Sequence, residues 1–351
     1  MKSRTRFTIA PALAAVSVLA IFLTACSSPN PSPQAAPTTG APANVTIALD
    51  FTPNTNHIGI YVAQAKGYFK DASLKVKILP YSSTPAETLV ANKRSDFGFS
   101  YSGGTAYARA AGQDVVQVYA NISKNQYVLA YRASDTSISS PKDLDGKTYA
   151  GFGTPDESAE VSTVIKSDGG KGEFTKAVLD TAAYEAVYAG KADFTIAATT
   201  VEVLEAEEIG KPLKYFVPEK FGYPANYSSS IISSNAYLKS NPEVAKRFLR
   251  AVQKGYQFAQ DNPKEAAAIV VAANKSVLKN PALIEKSAEL LASDGYLRNN
   301  DGKFGTIDGD QWQRFGDFLF DNKLLAGKDG KQLTQRPDWS TFYTNAFVPG
   351  Q

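Results

Sequence analysis

The chain has 351 residues, 43% of them hydrophobic, with 37 Lys and Arg against 34 Asp and Glu, one histidine and one cysteine. That length and apolar content suit two packed domains and exclude a disulfide-stapled scaffold. Three of the basic residues, Lys2, Arg4 and Arg6, stand in an N-terminal leader, so 37 minus 3 leaves 34 basic against 34 acidic; a neutral remainder without basic clusters offers no footprint for nucleic acid.

Phe7 to Leu23 is apolar but broken by Pro11 and small residues, which reads as a secretory signal over 1–25 rather than a membrane span. It ends in Leu23-Thr24-Ala25-Cys26, which looks like a bacterial lipobox. Cleavage before Cys26 and diacylglycerol transfer would leave no thiol for disulfides or catalysis. The two acyl chains are what stable anchoring to a membrane needs. Ser27 to Ala43 is rich in Pro, Ser, Ala and Thr and carries no charge, so 26–43 is predicted to be an acylated, flexible tether.

Val45 to Leu49 is short and β-branched enough for a buried strand. Pro53 blocks an immediate helix, and Asn54 to Asn56 suit a turn or N-cap. Ile58, Tyr61, Val62 and Ala65 then recur at helical spacing up to Gly67, a C-terminal cap. A polar, aromatic loop thus crosses the carboxyl end of a strand, where open α/β sheets bind ligands. Asp50, Phe51, Asn54, Asn56 and His57 crowd into it. His57 alone reads as a capping histidine; among these neighbours it reads as part of a pocket for a flat polar heterocycle.

Strand-like and helix-like segments then alternate: Leu74 to Pro80, a helix from Pro85 to about Asn92, Phe97 to Tyr101, a helix over Ala106 to Ala111, then strands Val115 to Ile122 and Tyr127 to Arg132. Such alternation predicts a parallel, doubly wound sheet. Ser100-Tyr101-Ser102-Gly103-Gly104-Thr105 puts hydroxyls and bare amides at a helix N-terminus, either an anion seat or a glycine turn for close packing; Tyr81 to Thr84 is a weaker corner of the same kind. No Gly-x-x-x-x-Gly-Lys-Ser/Thr occurs, so neither is a nucleotide P-loop.

Asp50-Phe51-Thr52-Pro53-Asn54, His57 and the tail Tyr61-Val62-Ala63-Gln64-Ala65-Lys66-Gly67-Tyr68-Phe69 resemble the ABC-transporter solute-binding proteins of the thiamine-pyrimidine type, relatives of the fungal thiamine-pyrimidine synthase and of sulfonate receptors. The common form has Trp where this chain has Phe51. Ser140-Pro141-Lys142-Asp143-Leu144-Asp145-Gly146-Lys147 is similar to the turn that opens the second lobe of type II solute-binding proteins. Asn241-Pro242-Glu243-Val244 through Asn262-Pro263 matches the family's helix pair, with Val244, Phe248, Ala251, Val252, Gly255 and Phe258 as an apolar stripe. Trp312 to Leu325 and Trp339 to Val348 read as helices covering the first lobe.

The resemblance implies an α/β, type II periplasmic-binding-protein fold, two doubly wound lobes joined by a two-strand hinge. Lobe 1 is expected to be 44–132 plus 231–351, and lobe 2 to be 133–230. Second-lobe contacts would come from Gly153 and Thr154 after the strand Thr148 to Phe152, from Thr199 and Glu202 after Lys191 to Ala197, and from Tyr223 or Tyr227 on the return crossing. Glu202 reads either as an acceptor for an aminopyrimidine or as an exposed helix N-terminal acid favoured by the dipole. Relatives often carry a Trp near Thr200 or Val201 and this chain does not. With Tyr81, Ser100, Tyr101, Gly103, Gly104 and Thr105 these complete the expected site.

The function implied is the extracytoplasmic, lipid-anchored binding component of an ABC importer, a monomer serving a permease and its ATPase, with hydroxymethylpyrimidine or formylaminopyrimidine as cargo. Riboflavin or another flat vitamin, or an alkylsulfonate, taurine or nitrate, are the alternatives within the fold. An enzyme like the synthase is disfavoured. That family carries a cysteine-rich motif for iron, whereas here Cys26 stands alone and His57 is the only histidine, so no metal site or cofactor is expected.

Overall fold

The computed structural model describes residues 41–350; the leader, Cys26 and all but the end of the tether lie outside them. The strands are β1 (Ala43–Ala48), β2 (Leu74–Leu79), β3 (Phe97–Ser100), β4 (Val116–Ile122), β5 (Tyr127–Arg132), β6 (Thr148–Gly151), β7 (Thr175–Val178), β8 (Phe194–Ala198), β9 (Leu213–Phe216) and β10 (Ser229–Ser233). The helices among them are α1 (Ile58–Ala65), α2 (Tyr68–Asp71), α3 (Ala86–Ala91), α4 (Ser102–Ala110), α5 (Glu157–Ser167), α6 (Ala182–Tyr188) and α7 (Glu202–Glu208). After β10 the chain is helical: α8 (Asn235–Ser240), α9 (Pro242–Asp261), α10 (Pro263–Ala273), α11 (Pro281–Ser293) and α12 (Gly309–Asp321).

Two five-stranded sheets result, ordered β2-β1-β3-β10-β4 and β7-β6-β8-β5-β9. β1 runs parallel to β2 and β3, and β6 parallel to β7 and β8. Each sheet also takes one antiparallel strand from the chain that crosses over, β10 between β3 and β4 and β5 between β8 and β9. This is the α/β, two-lobed architecture that the resemblance implies; the parallel sheet expected from the alternation is mixed in each lobe, because the crossing strand enters antiparallel.

The crossing lies earlier than the sequence suggests. Tyr127 to Arg132 was expected in the first lobe, ending at 132, but β5 hydrogen-bonds to β8 and β9 and belongs to the second sheet. The chain therefore crosses at residues 123–126 and returns before β10 at Ser229. An apolar run shows that a strand is buried, not which sheet buries it. A second correction concerns Trp339 to Val348, expected as a helix. Only Trp339–Thr341 forms a 3-10 turn. Beyond it the chain lies along β4, with Gln117 N donating to Phe342 O and Thr344 N donating to Gln117 O, so those backbone groups are not free for a helix.

The first lobe is held by α9 against α1. Ala245, Phe248, Leu249, Val252, Tyr256 and Ala259 form its buried stripe, and Pro242 and Pro263 open α9 and α10 at the position where a missing N–H costs nothing. The two helices meet backbone to backbone: a Cβ on Gly255 would stand 1.9 Å from Gly59 O, and one on Gly59 would stand 2.3 Å from the Tyr256 ring. The sequence placed Gly255 in the stripe without this reason for it. Gly255→Ala is expected to push α9 off α1 and destabilise the protein by about 1–3 kcal/mol, the usual cost of overpacking. Urea unfolding should show a lower midpoint at unchanged slope; an unmoved midpoint would contradict the contact.

Candidate functional site

The loop after β1 is built around His57. Asn54 Oδ1 accepts the Asn56 amide at 2.8 Å, capping a 3-10 turn over Thr55–His57. His57 Nδ1 accepts the Asn54 amide at 3.2 Å, which leaves Nε2 to donate to Asp50 Oδ1 at 2.8 Å. The ring is buried and meets Phe99 edge-on, with centroids 4.6 Å apart. Both ring nitrogens are engaged, so His57 aims Asp50 rather than touching a ligand, and Asn54, with Nδ2 on Thr52 O, is likewise used within the loop. The Asn56 carbonyl is fixed by Asn121 and by Tyr256 Oη at 2.6 Å, while its side-chain Oδ1 is buried without a partner among the described residues. Phe51 and Tyr81 form a tilted ring pair 5.7 Å apart, with Tyr81 48% exposed.

The β3–α4 corner is acidic. The Ser100 hydroxyl donates to Glu87 on α3, and the Tyr101 ring folds back over the first turn of α4. A Cβ on Gly103 would lie 2.7 Å from that ring, and one on Gly104 would lie 2.9 Å from it and 2.5 Å from Glu87 Oε1. The glycines thus make room for the tyrosine and the carboxylate. Asp156, from the second lobe, comes within 3.4 Å of the same position on Gly103. Carboxylates occupy the corner where an anion was weighed, and like charge repels one. Thr105 is fully buried beneath Ser100 and faces the core, not the site.

In the second lobe, Phe152 N and Gly153 N both donate to Glu157 Oε1, at 2.8 and 3.0 Å, so these amides are spent inside the lobe and not offered to a ligand. Thr154 bonds Asp156. The Thr199 hydroxyl lies 3.1 Å from Tyr296 Oη, a link between the second lobe and the segment after α11. Tyr223 is buried edge-on against Phe315 and Phe318 of α12, with its hydroxyl on Glu160, so it is core and not an exposed wall.

Glu202 fits neither expectation fully. It opens α7, yet it is half-buried, with Oε2 accepting the Ala198 amide at 2.8 Å. Burial lifts its carboxyl to about 7, offset in part by that amide and by Tyr184, while Glu205 adds to the rise. Burial also raises Glu87, and it raises Asp156 and Glu160, where neighbouring acids add to it. Tyr127 feels Glu202, Asp50 and Glu160, and Tyr101 feels Asp156, Glu87 and Glu157, so the acids of both lobes share one seam.

Asp50 and Glu202 both act on Tyr127, and Glu87 and Asp156 on Tyr101, so these groups border the seam, with the Phe51–Tyr81 pair on the first lobe. The sequence missed Glu87, Tyr127, Asp156, Glu160 and the Phe152–Tyr184 ring pair, 5.5 Å apart. Acids at 156, 157 and 160 are ordinary at a helix N-terminus, so residue type alone does not mark them. A groove of about 890 Å³ lies elsewhere, along edge strand β2 with Lys75, Lys77, Tyr61 and Asn274. It is open and holds none of the predicted site residues. Among the described residues no helix is long and apolar enough to cross a membrane.

A family model described as NMT1/THI5 like matches residues 54–266. The chain is 28% identical over 302 residues to a formylaminopyrimidine-binding protein of Halalkalibacterium halodurans, a match spanning 84% of this chain and 88% of the relative. It is 25% identical over 357 residues to the riboflavin-binding protein RibY of Chloroflexus aurantiacus, spanning 95% and 96%. The fold matches the periplasmic aliphatic sulphonate binding protein SsuA of Escherichia coli with TM-score 0.62, at 15% identity, over 86% of this chain and 92% of that one.

Glu202 yields a pH test. Its carboxyl is raised from an ordinary 4.5 to about 7, so the native state holds a proton the unfolded chain releases. The stability this confers is fully present below about pH 4.5 and is lost as pH rises to about 7, on the order of 2–3 kcal/mol. Tyr127, Tyr184, Tyr188 and Glu205 face the same group. Glu202→Gln should flatten this decline, read from urea midpoints at pH 5 and 7.5; an identical decline in the variant would contradict the assignment.

Proposed function

Since the chain belongs to the NMT1/THI5-like family, we propose that it is the membrane-tethered, extracytoplasmic receptor of an ABC importer whose cargo is a pyrimidine-type thiamine precursor, hydroxymethylpyrimidine or formylaminopyrimidine. The observation that carries the reading is the seam itself: carboxylates and tyrosines from both lobes gathered beside an aromatic pair. An aminopyrimidine presents an exocyclic N–H donor next to a ring-nitrogen acceptor, an edge that a protonated carboxyl such as Glu202 matches in two hydrogen bonds, its carbonyl oxygen accepting the N–H and its O–H donating to the ring nitrogen. Its face stacks on Phe51 and Tyr81, which supply a flat apolar wall with little rotamer entropy to lose. The formylaminopyrimidine-binding relative supports the same cargo.

Riboflavin is the second reading, supported by the relative that binds it. Its ring edge carries carbonyl oxygens, which buried carboxylates oppose unless protonated. A sulfonate or nitrate meets Glu87 and Asp156 at the α4 corner. A synthase would need a reactive histidine or cysteine set, and both His57 nitrogens are engaged in positioning the loop. Closure of two lobes about the crossing strands would trap the ligand for a permease and its ATPase. Diacylation of Cys26 would hold the receptor, as a monomer, on the extracytoplasmic face of the cell membrane.

Calorimetric titration of the purified full chain, refolded to remove carried-over ligand, should show tight binding of a hydroxymethyl- or formylamino-pyrimidine and none of taurine. Phe51→Ala should weaken it about tenfold, the loss of one stacking face. Binding of riboflavin alone would replace the cargo and keep the architecture. Cys26→Ser should move the protein from the membrane to the soluble fraction; retention at the membrane would contradict lipid anchoring.

A further inference from the structure

Between the lobes lies a pair of acids that the ring-binding reading does not use. Asp156 caps α5 and Glu160 stands one turn further on, with Glu160 N donating to Asp156 O at 2.9 Å. Both are more than nine-tenths buried, at 8% and 6% exposure. One oxygen of each is left over: Asp156 Oδ1 and Glu160 Oε1 have no hydrogen-bond partner among the described residues. Glu157, between them in sequence, shows the contrast. It is fully occupied, by the Phe152 and Gly153 amides and by Lys176 Nζ at 3.2 Å. Among the described residues no lysine or arginine pairs with Asp156 or Glu160, and no three acids converge to hold a metal ion.

Two buried carboxylates of like charge, one turn apart and each with a bare oxygen, need a proton or a cation. From the first lobe Tyr107 hydrogen-bonds Asp156, and Tyr101 and the α4 corner stand near it; none of these is positive. We infer that Asp156 and Glu160 form a second subsite, which takes a positively charged nitrogen carried on an arm of the bound ring, and that this arm draws α5 against α4 as the lobes close. The inference rests on the heterocycle reading above and departs from it in the substituent: an aminopyrimidine with an ammonium or amidinium arm in place of the neutral hydroxymethyl or formylamino one, and not a phosphorylated one. Asp156 Oδ2 already packs against Gly103 of the first lobe, 3.4 Å from where a Cβ there would stand, so a cation held on the bare Oδ1 beside Glu160 would sit next to that inter-lobe contact.

The test is a titration of the full chain with three 4-amino-2-methylpyrimidines that differ only at the 5-position: hydroxymethyl, aminomethyl (an ammonium at neutral pH) and the phosphate ester of the hydroxymethyl compound. The ammonium compound should bind at least about tenfold tighter than the alcohol, and the phosphate at least about tenfold more weakly, the scale of one charge-assisted hydrogen bond gained or opposed. Asp156→Asn and Glu160→Gln should each bring the ammonium-to-alcohol ratio close to one. Equal or weaker binding of the ammonium compound, or a ratio unmoved in both variants, overturns the subsite. The alcohol separates the two possible failures. If it binds and the ammonium shows no advantage, the subsite falls and the receptor reading stands; if none of the three binds, both fall. The comparison across the three ligands uses the unaltered chain, so it decides even where a variant does not fold.

Discussion

Buried negative charge at the junction of two sheets is the constraint that most of this structure answers to. Glu87, Asp156, Glu160 and Glu202 come from three helices and are desolvated together, with the partly exposed Asp50 beside them. Each is partly answered by a neighbour: His57 for Asp50, Ser100 for Glu87, Thr154 for Asp156, the Ala198 amide for Glu202, and Tyr223 for Glu160. Local donors are far from a full complement of counter-charges, and burying carboxylates without one is costly. A ligand that brings N–H groups and positive character supplies what the fold withholds. That single balance accounts for the raised carboxyl pKa values, for the exclusion of anions from the glycine corner, and for a lone histidine used to orient an acid.

Much of the scaffold was legible in the sequence because its periodicities are strong. The strand of Val45 to Leu49, the helix beginning at Ile58, and the stripe of α9 follow from apolar spacing and caps. What was not legible depends on partners far along the chain. Tyr127 to Arg132 looks like a strand in either sheet, and only its ladder with β8 and β9 assigns it. Trp339 to Val348 has helical spacing, yet the free edge of β4 captures its backbone first.

The site divides the same way. The loop from Asp50 to His57 was found by residue density, but density does not separate the residues that face a ligand from those that hold the loop. His57 and Asn54 proved to be the holders and Asp50 the presented group. Gly153 was read as offering its amide, and Glu157, four residues on, takes it. Asp156 and Glu160 were passed over because acids at a helix N-terminus are ordinary there; only their burial, and the approach of Asp156 to Gly103, marks them as unusual.

The central claim is that two lobes close on a nitrogen heterocycle rather than on an anion. Its most direct test is the distance between fluorophores on the exposed Ser83 of the first lobe and Glu185 of the second, attached through cysteines in a Cys26→Ser background. Energy transfer should rise on adding an aminopyrimidine and stay level with taurine. A rise with taurine, or none with any aminopyrimidine, would contradict the account.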